Sequence, residues 1–147
     1  MAASSIAATF ALCVAADSGK ILFNERLFHC ATPEPLGNNL NCYATPSPVI
    51  EPGRVYVHFG SYGTACIDTA KGAKLWERTD FECDHFRGAG SSPIVHGGLV
   101  YLCFDGYDKQ YIVALDKQTG KTVWKKDREI DFGTDNGDAK KAYGTPS

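Results

Sequence analysis

The stretch ALDKQTGKTVW, residues 114–124, decides the fold because the chain contains it three times. CIDTAKGAKLW stands at 66–76 and CVAADSGKILF at 13–23. In each copy a glycine precedes an aromatic residue by four positions: Gly19 and Phe23, Gly72 and Trp76, Gly120 and Trp124. Outside these stretches, SPVIEPGRVYVHFGSYG from Ser47 aligns with SPIVHGGLVYLCFDGYD from Ser92, a spacing of 45 residues (92 − 47). The Gly72–Gly120 spacing is 48 (120 − 72), so the later copy carries three extra residues. A period of this length marks a repeat architecture, in which each unit buries its faces only against its neighbours.

Each unit reads as strands and turns. Val55, Val57 and Phe59 alternate with Tyr56 and His58, the period of two that gives a strand two distinct faces. Pro52-Gly53 and Gly97-Gly98 supply the preceding turns, because proline fixes φ and glycine accepts positive φ. A third strand runs into Asp68 or Asp116, a short glycine loop follows, and a fourth strand ends near Trp76 or Trp124. Asp68 and Asp116 are expected to accept backbone N–H groups of that loop. Gly72 and Gly120 take its left-handed position, and the indoles of Trp76 and Trp124 dock on the adjacent unit, with Phe23 in the same role. Four short antiparallel strands per unit, stacked side by side, predict an all-β propeller.

Here a family resemblance appears. ALDKQTGKTVW resembles the tryptophan-docking motif A-x-D-x-x-T-G-K-x-x-W of PQQ-like, quinoprotein-type β-propeller repeats and matches every specified position. The copy at 66–76 departs at Cys66, Lys71 and Ala73, and the copy at 13–23 keeps Gly19 and Lys20. The run through CDHFRGAGSSP is similar to bacterial PQQ-binding-like propeller proteins. The resemblance implies a partial propeller with about two complete blades, 43–82 and 90–128, and two partial ones, 1–28 and 142–147. YATPS at 43–47 and YGTPS at 143–147 open successive blades. Closed propellers need about four to eight blades, so the chain is expected to be a fragment whose open faces meet missing blades of the same polypeptide. Assembly of separate copies into a ring is the alternative.

Composition narrows the partners. The 147 residues carry 15 Lys and Arg against 17 Asp and Glu, a formal charge of −2, and no basic run of the kind nucleic acid requires. No run of 18 apolar residues would span a membrane. The stretch Val14-Ala15-Ala16 resembles a signal-peptidase site, but it lies inside the first repeat copy with no Lys or Arg before Lys20, and a strand is the preferred reading. Among six cysteines, Cys13, Cys66 and Cys103 sit in strand-like runs as buried thiols, whereas Cys30 and Cys42 bracket a loop and could pair in an oxidising compartment, the sequence leaving their disulfide state open. No Cys or His spacing typical of zinc is present. DFG at 131–133 stands without the other kinase motifs, and TDNGDAKKAYG lacks the order of a calcium loop.

Candidate site residues are Asp84, His85 and Arg87 of the connector CDHFRGAGSS (83–92), on a face where propellers bind ligands. An anionic or polar ligand is one reading. A connector braced by Arg87 and Asp84, paired with each other or with backbone carbonyls, is the other. His58 on a strand and Tyr62 in a hairpin turn join the candidates, Asp105 is read as a turn former, and the loop HCATPEPLGNNLNCY (29–43) as decoration of the binding face or plain surface. Functionally, the resemblance implies a non-catalytic scaffold or ligand-binding module, secreted or periplasmic with a cytoplasmic location left open, taking a protein or small polar ligand. No catalytic residue, metal or cofactor is expected. The alternative is part of an oxidoreductase dependent on pyrroloquinoline quinone (PQQ) and calcium, although the adjacent cysteine pair common in alcohol-oxidising members is missing from this sequence. The sensor propeller of a membrane-bound kinase is a further alternative.

Overall fold

The computed structural model describes residues 7–36 and 40–146. A hairpin of β1 (Ala7–Val14) and β2 (Ile21–Cys30) comes first, followed by two four-stranded antiparallel sheets. The first sheet contains β3 (Val49–Glu51), β4 (Arg54–His58), β5 (Thr64–Asp68) and β6 (Lys74–Arg78) in chain order. The second contains β7 (Ile94–His96), β8 (Leu99–Asp105), β9 (Gln110–Asp116) and β10 (Thr122–Asp127), also in chain order. A 3-10 turn spans Gly60–Tyr62, and a single helical turn, α1 (Gly137–Lys140), sits in the last connector. The sequence repeat is therefore a repeat of meander sheets. Val14-Ala15-Ala16 closes β1 and opens the β1–β2 turn.

The three extra residues of the later unit lengthen a hairpin. β8 and β9 have seven residues each, against five in β4 and β5. The fourth strands continue past their tryptophans, since β6 runs to Arg78 and β10 to Asp127.

Period-two alternation sorts each sheet into two faces. Tyr56, Cys66 and Trp76 on one face of the first sheet pack against Val100, Leu102, Phe104, Val113 and Leu115 of the second. Val57, Phe59, Ala65 and Ile67, on the opposite face, pack against Leu27 and Phe28 of the hairpin. The core is thus two interfaces between units.

The repeated turn is built alike three times. Gly19, Gly72 and Gly120 have φ of +67°, +70° and +70°. Their N–H groups donate to Ala15, Asp68 and Asp116 carbonyls at 2.8, 2.9 and 2.8 Å. Asp68 Oδ1 accepts from the Ala70 and Lys71 N–H groups at 2.8 and 3.0 Å. Asp116 Oδ1 accepts from the Gln118 and Thr119 N–H groups at 3.1 and 2.8 Å. Those backbone donors hold both carboxyls below the usual carboxylate range, with the Thr119 hydroxyl the first contributor at Asp116.

The turns at Gly72 and Gly120 are seats for the aromatic residue of the preceding unit. A Cβ on Gly72 would lie 2.8 Å from the Phe23 ring, and one on Gly120 would lie 2.7 Å from the Trp76 ring. The Trp76 Nε1–H donates to the Lys117 carbonyl at 3.0 Å, and Arg78 donates to the Gly120 carbonyl at 2.7 Å. Trp124 has no neighbouring unit against it among the described residues. It lies at the open end of the array, 40% exposed against 9% for Trp76, with Tyr101 as its ring neighbour at 6.0 Å between centroids. No unit follows β10 among the described residues, so its indole has no seat.

Candidate binding face between the units

The sheet ends opposite the docking turns carry the long connectors, residues 79–93 and 128–146, together with the 3-10 turn and the loop after β2. The five candidate residues all fall on this side, but they do not converge on one ligand.

His85 points inward and is 3% exposed. Its Nε2 accepts the Ser61 N–H at 3.2 Å, which places the neutral ring's proton on Nδ1. It can pass this close only because residue 60 is glycine, where a Cβ would stand 2.5 Å from Nε2. The Lys141 ammonium is 3.4 Å from Nδ1 and the Cys83 sulfur 3.9 Å. Burial, reinforced by Lys141, lowers the His85 pKa to about 4. Burial likewise lowers Lys141 from its usual range and raises Cys83 to about 12, which makes that thiol a poor nucleophile.

His58 is buried at the end of β4, and its Nδ1 pairs with the Thr64 hydroxyl at 2.8 Å across the ladder. Its ring meets Phe104 edge-on at 5.2 Å, and His85 lies on the same phenyl ring at 6.2 Å. The fold therefore brings two candidate histidines around one aromatic residue. Burial and the neighbouring His85 lower the His58 pKa to about 3.

Arg87 does not pair with Asp84. It forms an ion pair with Asp138 at 2.8 Å, and the Tyr107 hydroxyl donates to the other Asp138 oxygen at 2.7 Å. The connector is thereby tied to α1, more than fifty residues later, and not to itself. Asp84 Oδ1 accepts the Phe86 N–H at 3.0 Å, a short-range bond that supports the left-handed Phe86, φ +52°. Asp105 is a second correction. Read as a turn former, it instead ends β8 and is 5% exposed, with Arg128 2.8 Å from Oδ2 and Lys141 donating to its carbonyl at 3.3 Å. Burial raises its carboxyl pKa.

The loop after β2 adds Glu34. Its N–H donates to the Tyr62 hydroxyl at 3.0 Å, and its Oε2 accepts the Phe86 N–H at 2.7 Å. Burial raises the Glu34 pKa, and Asp84 adds to that rise. Glu34, Tyr62, Asp84, Ser61, Thr32 and Phe86 line a shallow cleft of about 550 Å³. Asp84 gives it an exposed carboxyl, Glu34 Oε1 is buried beneath it, and Arg87 turns away to Asp138. Cys30 and Cys42 are both free thiols, Cys42 exposed.

The docking turns and meander sheets define the class: this is a PQQ-like β-propeller repeat protein. The chain belongs to the family whose model is described as outer membrane protein assembly factor BamB, matched over residues 5–139. BamB from Moraxella catarrhalis superimposes with a TM-score of 0.64 at 19% identity, over 98% of this chain and 41% of that one. Quinohemoprotein alcohol dehydrogenase from Comamonas testosteroni gives 0.55 at 20% identity, over 78% of this chain and 17% of that one. The quinohemoprotein alcohol dehydrogenase ADHIIG from Pseudomonas putida HK5 gives 0.58 at 22% identity, over 80% and 17%. The chain spans less than half the length of each of these structures, and the likeness at these identities is one of fold. No curated protein sequence is similar enough to be matched to it.

Among the described residues no three His, Cys, Asp or Glu side chains converge on a point where a metal ion would sit, and no two cysteines adjoin in the sequence. No described helix is long and apolar enough to cross a membrane.

Proposed function

We propose that the chain is a non-catalytic propeller scaffold, a protein-docking module of an extracytoplasmic assembly. One observation carries the reading. The side chains with site chemistry on the connector face are engaged in structural contacts, between connectors or within a sheet: His85 on the Ser61 N–H, Arg87 on Asp138, Asp105 on Arg128. The described family, an outer membrane assembly factor, supports both the docking role and the extracytoplasmic location.

The partner surface is the acidic cleft of Glu34, Asp84 and Tyr62, which suits a basic or hydrogen-bond-donating segment. The test is titration of the protein with PQQ and calcium, followed by absorbance and by dye-linked alcohol oxidation. The scaffold reading expects neither bound-cofactor absorbance nor turnover. Stoichiometric quinone binding with turnover would overturn it in favour of a quinoprotein oxidoreductase.

A further inference from the structure

One amine on the connector face stands among partners that suit a neutral nitrogen. Lys141, just after α1, is half-buried and reaches the cluster around His85. An ammonium carries three donors and no acceptor, so its partners must accept. The Ser61 N–H donates to His85 Nε2 at 3.2 Å, which leaves the neutral ring's proton on Nδ1, 3.4 Å from the Lys141 nitrogen. An ammonium there sets donor against donor. A free amine accepts the Nδ1–H with its lone pair and still donates to the Asp105 carbonyl at 3.3 Å.

The carboxyls around it are engaged elsewhere. Asp105 gives Oδ2 to Arg128 at 2.8 Å, and Glu34 gives Oε2 to the Phe86 N–H at 2.7 Å. Burial lowers Lys141 from its usual range and outweighs Cys83, Glu34, Asp105 and Asp84, whose negative forms favour the ammonium. The Tyr143 ring beside the nitrogen, 4.7 Å to its centre, is 44% exposed, so the amine stands at the margin of the cluster.

We propose that Lys141 is a covalent attachment site for a small uncharged aldehyde, held as an imine. The amine lone pair adds to the carbonyl carbon, the C=O π pair moves to oxygen, and one amine proton passes to that oxygen to give a carbinolamine. Its hydroxyl then leaves with the second amine proton as water and the C=N bond forms, so one amine and one aldehyde give one imine and one water. His85 Nδ1–H is the donor within reach of the departing oxygen. The carboxyls of Glu34, Asp84 and Asp105 select against an anionic carbonyl compound, and the Cys83 thiol, kept protonated by burial, does not compete as nucleophile. The site goes beyond the scaffold reading and does not depend on it.

The experiment incubates the full chain with propanal and cyanoborohydride at neutral pH and follows each lysine by mass spectrometry of chymotryptic peptides. Lys141 is expected to be alkylated at least about ten-fold faster than the exposed Lys71 and Lys121, the ratio that a pKa lower by about one unit gives an amine at this pH. In urea the three rates converge, and Lys141→Arg removes the fast label while the other lysines keep their rates. A Lys141 alkylated no faster than Lys71 and Lys121 in the folded chain would overturn the proposal. So would an advantage that persists in urea, or a fast label that survives Lys141→Arg.

Discussion

Trp76 and Trp124 occupy the same motif position and differ only in what lies over them, which makes them an internal control on docking. Trp76 is 9% exposed and donates to the Lys117 carbonyl, while Trp124 is 40% exposed with its Nε1 outside the seat geometry. The gap of 31 percentage points (40 − 9), on a tryptophan surface of roughly 250 Å², is about 80 Å². At about 25 cal/mol/Å² that is about 2 kcal/mol. The buried indole hydrogen bond contributes about 1 kcal/mol more. Trp76→Ala is thus expected to destabilise by about 3 kcal/mol more than Trp124→Ala, in urea unfolding followed by circular dichroism at a concentration where the chain is monomeric. Should Trp76→Ala fail to fold, Trp76→Phe keeps most of the apolar contact and loses the hydrogen bond, and it is expected to cost about 1–2 kcal/mol. A difference under about 1 kcal/mol between the two alanine variants, or a Trp76→Phe variant as stable as the parent, would show that the seat does not hold the indole as described.

Three further outcomes follow from the same geometry. Gly120→Ala combines left-handed strain with a Cβ 2.7 Å from the Trp76 ring, whereas Gly97→Ala at φ +57° meets open space; the first is expected to cost at least about 1 kcal/mol more than the second in the same unfolding assay. His85, lowered from 6.5 to about 4, is neutral in the fold at pH values where the unfolded chain is protonated. Its stabilising contribution is whole above pH 6.5 and is lost as pH falls toward 4, about 2 kcal/mol between pH 7 and 4.5. His85→Gln should shrink that loss by at least about 1 kcal/mol, and an unchanged pH profile would remove His85 from the buried set. Finally, Cys30 and Cys42 should both be alkylated without prior reduction in the folded protein, as mass spectrometry of tryptic peptides would report.

The architecture was legible because it repeats. Asp116, Gly120 and Trp124 state the turn in full, and the same spacing exposes the weaker copies at Gly72 and Gly19. Local chemistry explains each position: an acceptor for the loop amides, a residue tolerant of positive φ, and an aromatic to bury. What the motif could not reveal is occupancy. Whether an indole is buried depends on the presence of the next unit, which is a property of the neighbour and leaves no mark on residues 114–124. Trp124 was therefore expected in a core that the described chain does not provide.

The binding face was less legible for the same reason, seen from the other side. Asp84, His85 and Arg87 are adjacent in sequence, and adjacency suggested one polar cluster. The left-handed Phe86 and the positive-φ Gly88 turn successive side chains in different directions. Their partners then come from far along the chain: Ser61 for His85, Asp138 for Arg87, and Glu34, which shares the cleft with Asp84. No local pattern announces Glu34 or Lys141, because each acquires its role from burial against another connector. The chemistry of the cleft follows from this long-range pairing: Asp138 takes the guanidinium, Glu34 turns one carboxyl oxygen inward and accepts the Phe86 N–H with the other, and the exposed Asp84 remains at the rim. A partner reading this face would accordingly meet carboxylate acceptors where the sequence alone suggested an arginine.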